Sequence, residues 1–160
     1  YDYFGSGVVV KGMGFPLHDR GALFVLDEND PDALAPRKRP FHTIIPAFME
    51  RGDIHIGFGI MGGSNQPLAH AQFVSNVVDY GMNPEEAVSA PRFHHQWVPD
   101  TLTVERGFPR DVLEGLERRG HRVEVSPREW SSAQTIVIDP ATGLHLGGSD
   151  PRSDGLALGD

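Results

Sequence analysis

The sequence predicts an α+β fold, with antiparallel hairpins and helices segregated between them. Three observations point there. The apolar stretch from Thr43 to Ile60 is interrupted by Glu50-Arg51-Gly52-Asp53, a short link with glycine that reads as a hairpin turn. Apolar residues then recur at helical spacing over 66–80 and again over 109–119. The 19 glycines and 13 prolines among 160 residues supply turns between short strands.

Taken in order, Val8 to Val10 reads as a short strand and Gly12 to Leu17 as the next. Leu26 to Pro40 is polar and proline-rich, through Asp27-Glu28-Asn29-Asp30-Pro31-Asp32, and reads as a surface excursion. Thr43 to Met49 and Ile54 to Ile60 are the hairpin strands. From Gln66 to Tyr80, Leu68, Ala71, Val74 and Val78 fall on one helical face, and Gly81 ends the run. Asn83-Pro84-Glu85-Glu86 opens a second, short helix that stops before Pro91. It offers a cap, a proline at the first helical position and acids in the first turn. Thr101 to Glu105 alternates as a strand. Pro109 to Arg119 reads as a helix with Val112, Leu113 and Leu116 inward and Gly120 as its stop. His121 to Val125, Gln134 to Ile138 and Leu144 to Leu146 read as strands, and Asp139-Pro140-Ala141-Thr142-Gly143 turns between the last two. No repeat, low-complexity segment or linker divides the chain.

Composition narrows the function. With 39% hydrophobic and 22% charged residues, 160 residues make one domain, or most of one, with a true core. The net charge of -8 and the lack of a basic stripe argue against a nucleic-acid partner. Without cysteine there is no disulfide, thiolate metal site or cysteine nucleophile. No apolar run approaches the roughly 20 residues that span a bilayer, so no membrane partner is expected. The chain opens Tyr1-Asp2-Tyr3-Phe4-Gly5-Ser6-Gly7, without an initiator Met, as if inside a structured segment. The expectation is a processed or truncated piece of a longer polypeptide.

The chemistry-bearing stretch is Phe58-Gly59-Ile60-Met61-Gly62-Gly63-Ser64, between a strand and a helix. Backbone N–H groups at such a junction can hold a developing negative charge, because glycines let a reacting group approach the main chain. A Gly-Gly pair by itself is more often a simple turn. Arg20, after Leu17-His18-Asp19, either clamps a carboxylate with its forked donors or is a surface residue. Arg37-Lys38-Arg39-Pro40-Phe41-His42-Thr43 is either a solvated loop, which spacing alone favours, or a recess where His42 and Thr43 meet substrate. In Pro91-Arg92-Phe93-His94-His95-Gln96 the adjacent histidines diverge and no cysteine or nearby acid completes a ligand set, so no metal site is expected. Asp150-Pro151-Arg152 reads as a structural turn with a paired arginine. A Gly-x-Ser-x-Gly elbow, a P-loop and a dinucleotide fingerprint are all missing, so no cofactor is expected. Pattern alone stops at a soluble α+β domain.

Phe4-Gly5-Ser6-Gly7, Lys38-Arg39-Pro40, Met61-Gly62-Gly63, Ala90-Pro91-Arg92-Phe93-His94-His95-Gln96 and Ser149-Asp150-Pro151-Arg152 occur in this order. Together they closely resemble the small subunit of the gamma-glutamyltranspeptidase family, over nearly the whole chain. The resemblance implies an N-terminal nucleophile (Ntn) hydrolase: a four-layer αββα sandwich completed by a larger subunit of the same precursor. The precursor cleaves itself, and the new N-terminal threonine attacks an amide carbonyl with its own amino group as base. It implies that Gly62 and Gly63 form the oxyanion hole. The threonine is expected upstream of Tyr1, so that residues 1–160 make a small-subunit domain lacking its first strand and nucleophile, inactive alone. Large subunit, small amide substrate and a dimer of heterodimers are the implied partners.

The resemblance also bears on substrate. Glutamyl-transferring members carry Asn-Asn-Gln/Glu-Met-Asp-Asp-Phe where this chain has His18-Asp19-Arg20-Gly21-Ala22-Leu23-Phe24. The acid that grips the substrate's α-amino group becomes Leu23, and the neighbouring polar contact becomes Arg20. Two serines after Lys-Arg-Pro become His42 and Thr43. Asp19, Arg20, His42 and Thr43 are therefore the implied substrate-binding residues, and the pattern resembles the oxamate amidohydrolase-like branch. Hydrolysis of a small carboxylate-bearing amide is expected. The alternatives are a gamma-glutamyl hydrolase or transferase and a non-catalytic scaffold. The cytoplasm is favoured over the periplasm or secretion, since this branch often has no signal peptide. A sandwich severed from its partner should expose an apolar face.

Overall fold

A computed structural model describes residues 1–159 apart from Tyr3. They form two compact units, Tyr1–Ile44 and Ile45–Asp160. Among the described residues no helix is long and apolar enough to cross a membrane.

The first unit is built from turns. The strands expected over 8–10 and 12–17 reduce to one antiparallel bridge, Val9↔Pro16. Val10 N–H donates to Phe15 O at 3.0 Å and Leu17 N–H to Val8 O at 2.8 Å. The ladder goes no further because the Val8 N–H turns to Ser6 Oγ, Leu17 O accepts from Ser6, and Val10 O takes the turn N–H groups of Met13 and Gly14. The excursion over 26–40 is a loop as expected, and the Lys38 ammonium braces it by donating to the carbonyls of Pro31 and Ala33. A single 3-10 turn, Arg20–Leu23, precedes it.

The second unit runs β1 (Ala47–Arg51), β2 (Ile54–Met61), α1 (Gln66–Val78), α2 (Pro84–Ser89), β3 (Phe93–Gln96), β4 (Thr101–Val104), α3 (Arg110–Arg118), β5 (Val123–Val125), β6 (Ser132–Asp139) and β7 (Leu144–Ser149). Two sheets result, β1-β2-β6-β7 and β3-β4-β5. The hairpin forms as predicted, with Arg51 opposite Ile54. It starts at Ala47 rather than Thr43, because Pro46 cannot donate to a ladder and constrains Ile45 before it. The four-stranded sheet is antiparallel throughout. The prediction of hairpins alone fails at β4–β5, which pair in parallel with Leu102 opposite Val123. There α3 carries the chain back across, as a parallel pair requires. Phe93–Gln96 is a strand that the sequence reading did not anticipate.

Alternate residues of β2 (Ile56, Phe58, Ile60) are buried against Ala69 and Phe73 of α1, Ala87 and Val88 of α2, and Ala133 of β6. The period of two puts one face of the sheet in the core. The α1 face predicted from Leu68, Ala71, Val74 and Val78 is not the one most buried: Gln66, Ala69 and Phe73 are. The large aromatic decides this, since Phe73 stacks on Phe58 with ring centroids 4.6 Å apart. Leu68 and Ala71 instead line an open apolar groove of about 560 Å³ with Pro91, Phe93 and Phe108. In α3 the innermost residue is Gly115, flanked by half-buried Leu113 and Leu116, whereas Val112 is exposed. The Asn83–Glu86 capping box of α2 is complete, each side chain accepting from the other residue's N–H at 2.9 Å. On the other face of the four-stranded sheet Phe48 and Ile136 stay 63% and 41% exposed, beside Gly57. Glu50, His55 and Gln134 share this face, so the exposed apolar patch is confined to its middle.

Candidate active site

The turn after β2 has a backbone that only glycine adopts easily. Gly62 has φ +143° and Gly63 φ +57°. The β2–β6 register pairs Met61 with Ser132, which brings Ser131 opposite Gly62. A Cβ on Gly62 would strike the Ser131 hydroxyl and come within 3.0 Å of its Cβ. Ser131 is itself at φ +70°, unusual for a residue with a side chain. A glycine turn and a strained serine thus face each other at the end of the sheet.

The turn's carbonyls are held from behind. Asn65 N–H donates to Gly62 O at 3.1 Å, and the Gln66 amide donates to Gly63 O at 3.2 Å. A peptide unit is planar, so fixing the Gly62 carbonyl also fixes the Gly63 N–H on the opposite side. A 3-10 turn, Gly63–Asn65, then leads into α1.

Four buried charges clamp the Ser131 segment. The Arg92 guanidinium donates to Asp150 at 2.6 Å, and Arg152 donates to Glu105 at 2.5 Å and to Asp150 at 3.0 Å. Glu105 accepts the Trp130 N–H at 2.8 Å, Arg92 donates to Trp130 O at 3.2 Å, and Asp150 accepts the Ala133 N–H at 2.9 Å. Residues on both sides of Ser131 are therefore fixed by charge-assisted bonds. Two arginines balance two acids, so the buried cluster is neutral. Burial works to raise the Asp150 carboxyl and is the largest influence on it. The Arg152 backbone N–H and the Arg92 guanidinium together outweigh it and leave the carboxyl below its usual range. Burial likewise works to lower Arg152, and its bonds to Glu105 and Asp150 turn the balance and raise it. The paired arginine expected at Asp150-Pro151-Arg152 is present. Sequence reasoning missed Arg92, the second partner of Asp150, and Glu105, the second partner of Arg152, because each comes from a segment far off in the chain.

The other predicted residues lie in the first unit. Arg20 Nε donates to Thr43 Oγ1 at 2.7 Å. The Arg20 guanidinium also lies over the Tyr1 ring at 5.3 Å. Among the described residues its two terminal nitrogens make no hydrogen bond, so a forked donor pair is left available. Asp19 precedes the 3-10 turn, and its Oδ1 is buried without a partner among the described residues. His42 is exposed. The structure thus brings Arg20 and Thr43 together, with Asp19 next in the chain, while Gly62 and Gly63 belong to the second unit.

The adjacent histidines separate across β3. His94 Nδ1 bonds Asn65 Oδ1 at 2.7 Å, and His95 Nε2 bonds Asp100 Oδ1 at 2.8 Å. No group of three potential metal ligands gathers among the described residues.

A glycine turn aimed by its own carbonyl bonds and an available arginine fork meet a decisive comparison: the family model described as gamma-glutamyltranspeptidase matches residues 1–159. The chain belongs to the gamma-glutamyltranspeptidase family. Among curated relatives, the glutathione hydrolase-like YwrD proenzyme of Bacillus subtilis is 39% identical, over 99% of this chain and 32% of its own length. The oxamate amidohydrolase proenzyme of Klebsiella pneumoniae is 38% identical, over 99% of this chain and 31% of its own. This gamma-glutamyltranspeptidase-family chain thus spans about a third of the length of those relatives. Among solved structures, a gamma-glutamyltranspeptidase mutant of Helicobacter pylori superposes with TM-score 0.70 at 33% identity, over 94% of this chain and 88% of that one. A cephalosporin acylase from Bacillus halodurans gives 0.70 at 46% identity, over 95% and 29%. The mixed helix-and-sheet architecture is that of the gamma-glutamyltranspeptidase, Ntn-hydrolase fold, as the resemblance implied.

Proposed function

We propose that this chain is the small-subunit portion of an autoprocessed amidohydrolase that cleaves a small amide bearing a free carboxylate. The observation that carries the substrate class is the Arg20 fork, fixed through Nε on Thr43 with its terminal nitrogens available, beside Leu23 in place of an acid. Arginine's forked donors match a carboxylate, and a leucine offers an ammonium group nothing. The nucleophile is a threonine on a segment outside these residues, freed by self-cleavage of the precursor. Its hydroxyl adds to the amide carbonyl, and its α-amino group takes the proton. The N–H groups of Gly62 and Gly63 receive the charge that develops on the carbonyl oxygen, and the α-ammonium returns its proton to the nitrogen, which leaves as the amine while the acyl-enzyme forms. Water then releases the acid. The remainder of the precursor, as a larger subunit, covers the apolar patch at Phe48 and Ile136.

The relatives' names favour a second reading as well, since the B. subtilis protein is called glutathione hydrolase-like. A chromogenic gamma-glutamyl anilide and oxamate, each offered to the complete processed enzyme, separate the two. Faster turnover of oxamate supports the carboxylate-amide reading. Faster release of the anilide overturns it in favour of glutamyl hydrolysis.

A further inference from the structure

We propose that Asn65, oriented by His94, is a positioning residue for the Gly62–Gly63 turn. The inference rests on the reading of that turn as the oxyanion-binding element. Asn65 is 4% exposed, and no apolar reason keeps an amide there. Each of its polar groups has one task. Its backbone N–H holds Gly62 O at 3.1 Å, which aims the Gly63 N–H. Its Nδ2 donates to Ser131 Oγ at 3.2 Å, on the hydroxyl that sits against Gly62. Its Oδ1 accepts from His94 Nδ1 at 2.7 Å. That last bond requires the proton on Nδ1 and sets which way the amide faces. The His94 ring is in turn held at 5.9 Å from the Trp130 ring, next to the clamped Ser131 segment.

Three elements therefore converge on one residue: β3 through His94, the segment just before β6 through Ser131, and the turn through Gly62 O. Releasing the Asn65 side chain leaves the Gly62 carbonyl bond in place but lets the turn rock. A preorganised donor loses most of its advantage when its direction is no longer fixed. The substrate's ground state, bound elsewhere, should not sense the change.

The test uses the complete processed enzyme, with active sites counted by titration so that only the folded, self-cleaved fraction is compared. Asn65→Ala and His94→Ala should each lower kcat by about tenfold with KM within about twofold. His94→Asn, whose amide can place a donor where Nδ1 was, should recover most of the loss. The double variant should be no slower than the slower single one, because both act through one path. A role in folding alone would lower the yield of active sites and leave kcat per site unchanged. If Asn65→Ala does not mature, the His94→Ala and His94→Asn pair still decides. Unchanged kcat per site in His94→Ala, or no recovery in His94→Asn, overturns the proposal. Gly62→Ala in the same assay separates the premises. Intact kcat there overturns the oxyanion reading itself, whereas a loss there with none in His94→Ala overturns only the positioning.

Discussion

The turn at Gly62–Gly63 and the loop at Asp19–Arg20 are held in opposite ways. Behind the glycines stand a neutral cluster of four buried charges, two carbonyl anchors and a strand register. Behind the Arg20 side chain stand, among the described residues, one hydrogen bond to Thr43 and one aromatic ring. On the function proposed above, the difference separates what must not move from what can vary. A turn that stabilises developing charge works only if its direction is fixed before reaction. A loop that chooses the substrate can change its side chains while the scaffold stays intact.

The largest expected effect breaks the rigid side of this contrast. Asp150→Ala removes a fully buried partner of two arginines and should cost about 3–5 kcal/mol of stability, because it leaves buried cations unpaired. Denaturant unfolding of the processed enzyme measures it. A loss under 1 kcal/mol would mean that the cluster does not hold the Ser131 segment. Next, Gly62→Ala should lower kcat by about a hundredfold, as expected when an oxyanion donor is displaced. Steady-state kinetics read it, and the added methyl has no room beside Ser131. On the recognition side, Arg20→Ala should raise KM for a carboxylate-bearing amide by roughly tenfold to a hundredfold, with kcat nearly kept and unfolding unchanged. An effect on stability instead would make Arg20 a structural residue.

The smallest effect concerns acid. The Asp150 carboxyl lies below its usual range in the folded protein, so the unfolded chain binds the proton more readily. Its contribution is complete above the ordinary carboxylate value of about 3.9 and is lost as pH falls through the lower folded value. The gap in unfolding free energy between the natural protein and Asp150→Asn should therefore narrow below about pH 4. A gap that widens there would reverse the sign of the argument.

The same contrast explains what the sequence could tell. The β1–β2 hairpin, the Asn83 cap and the Gly62-Gly63 junction are local signals, set by residues within a turn of each other. The face of α1 was misread because 3.6-residue spacing admits two neighbouring stripes, and the choice fell to Phe58 on a distant strand. The parallel pairing of β5 depends on where α3 delivers the chain. The charged cluster draws on Arg92, Glu105, Asp150 and Arg152; the Asp150–Arg152 pair is local, but nothing in that segment marks Arg92 and Glu105 as its further partners. His94 looked like half of a histidine pair, while its partner is Asn65. The loop at Asp19–Arg20, which we propose chooses the substrate, was legible only by resemblance, since one arginine in a loop carries no periodicity.

The most direct measurement is the kcat/KM ratio for oxamate over glutathione in the complete processed enzyme and in its Arg20→Gln/Leu23→Asp variant. A ratio well above one in the natural protein that inverts in the variant is the predicted result. A ratio below one in the natural protein, or one that the paired substitution leaves unchanged, would contradict the assignment of substrate choice to this loop.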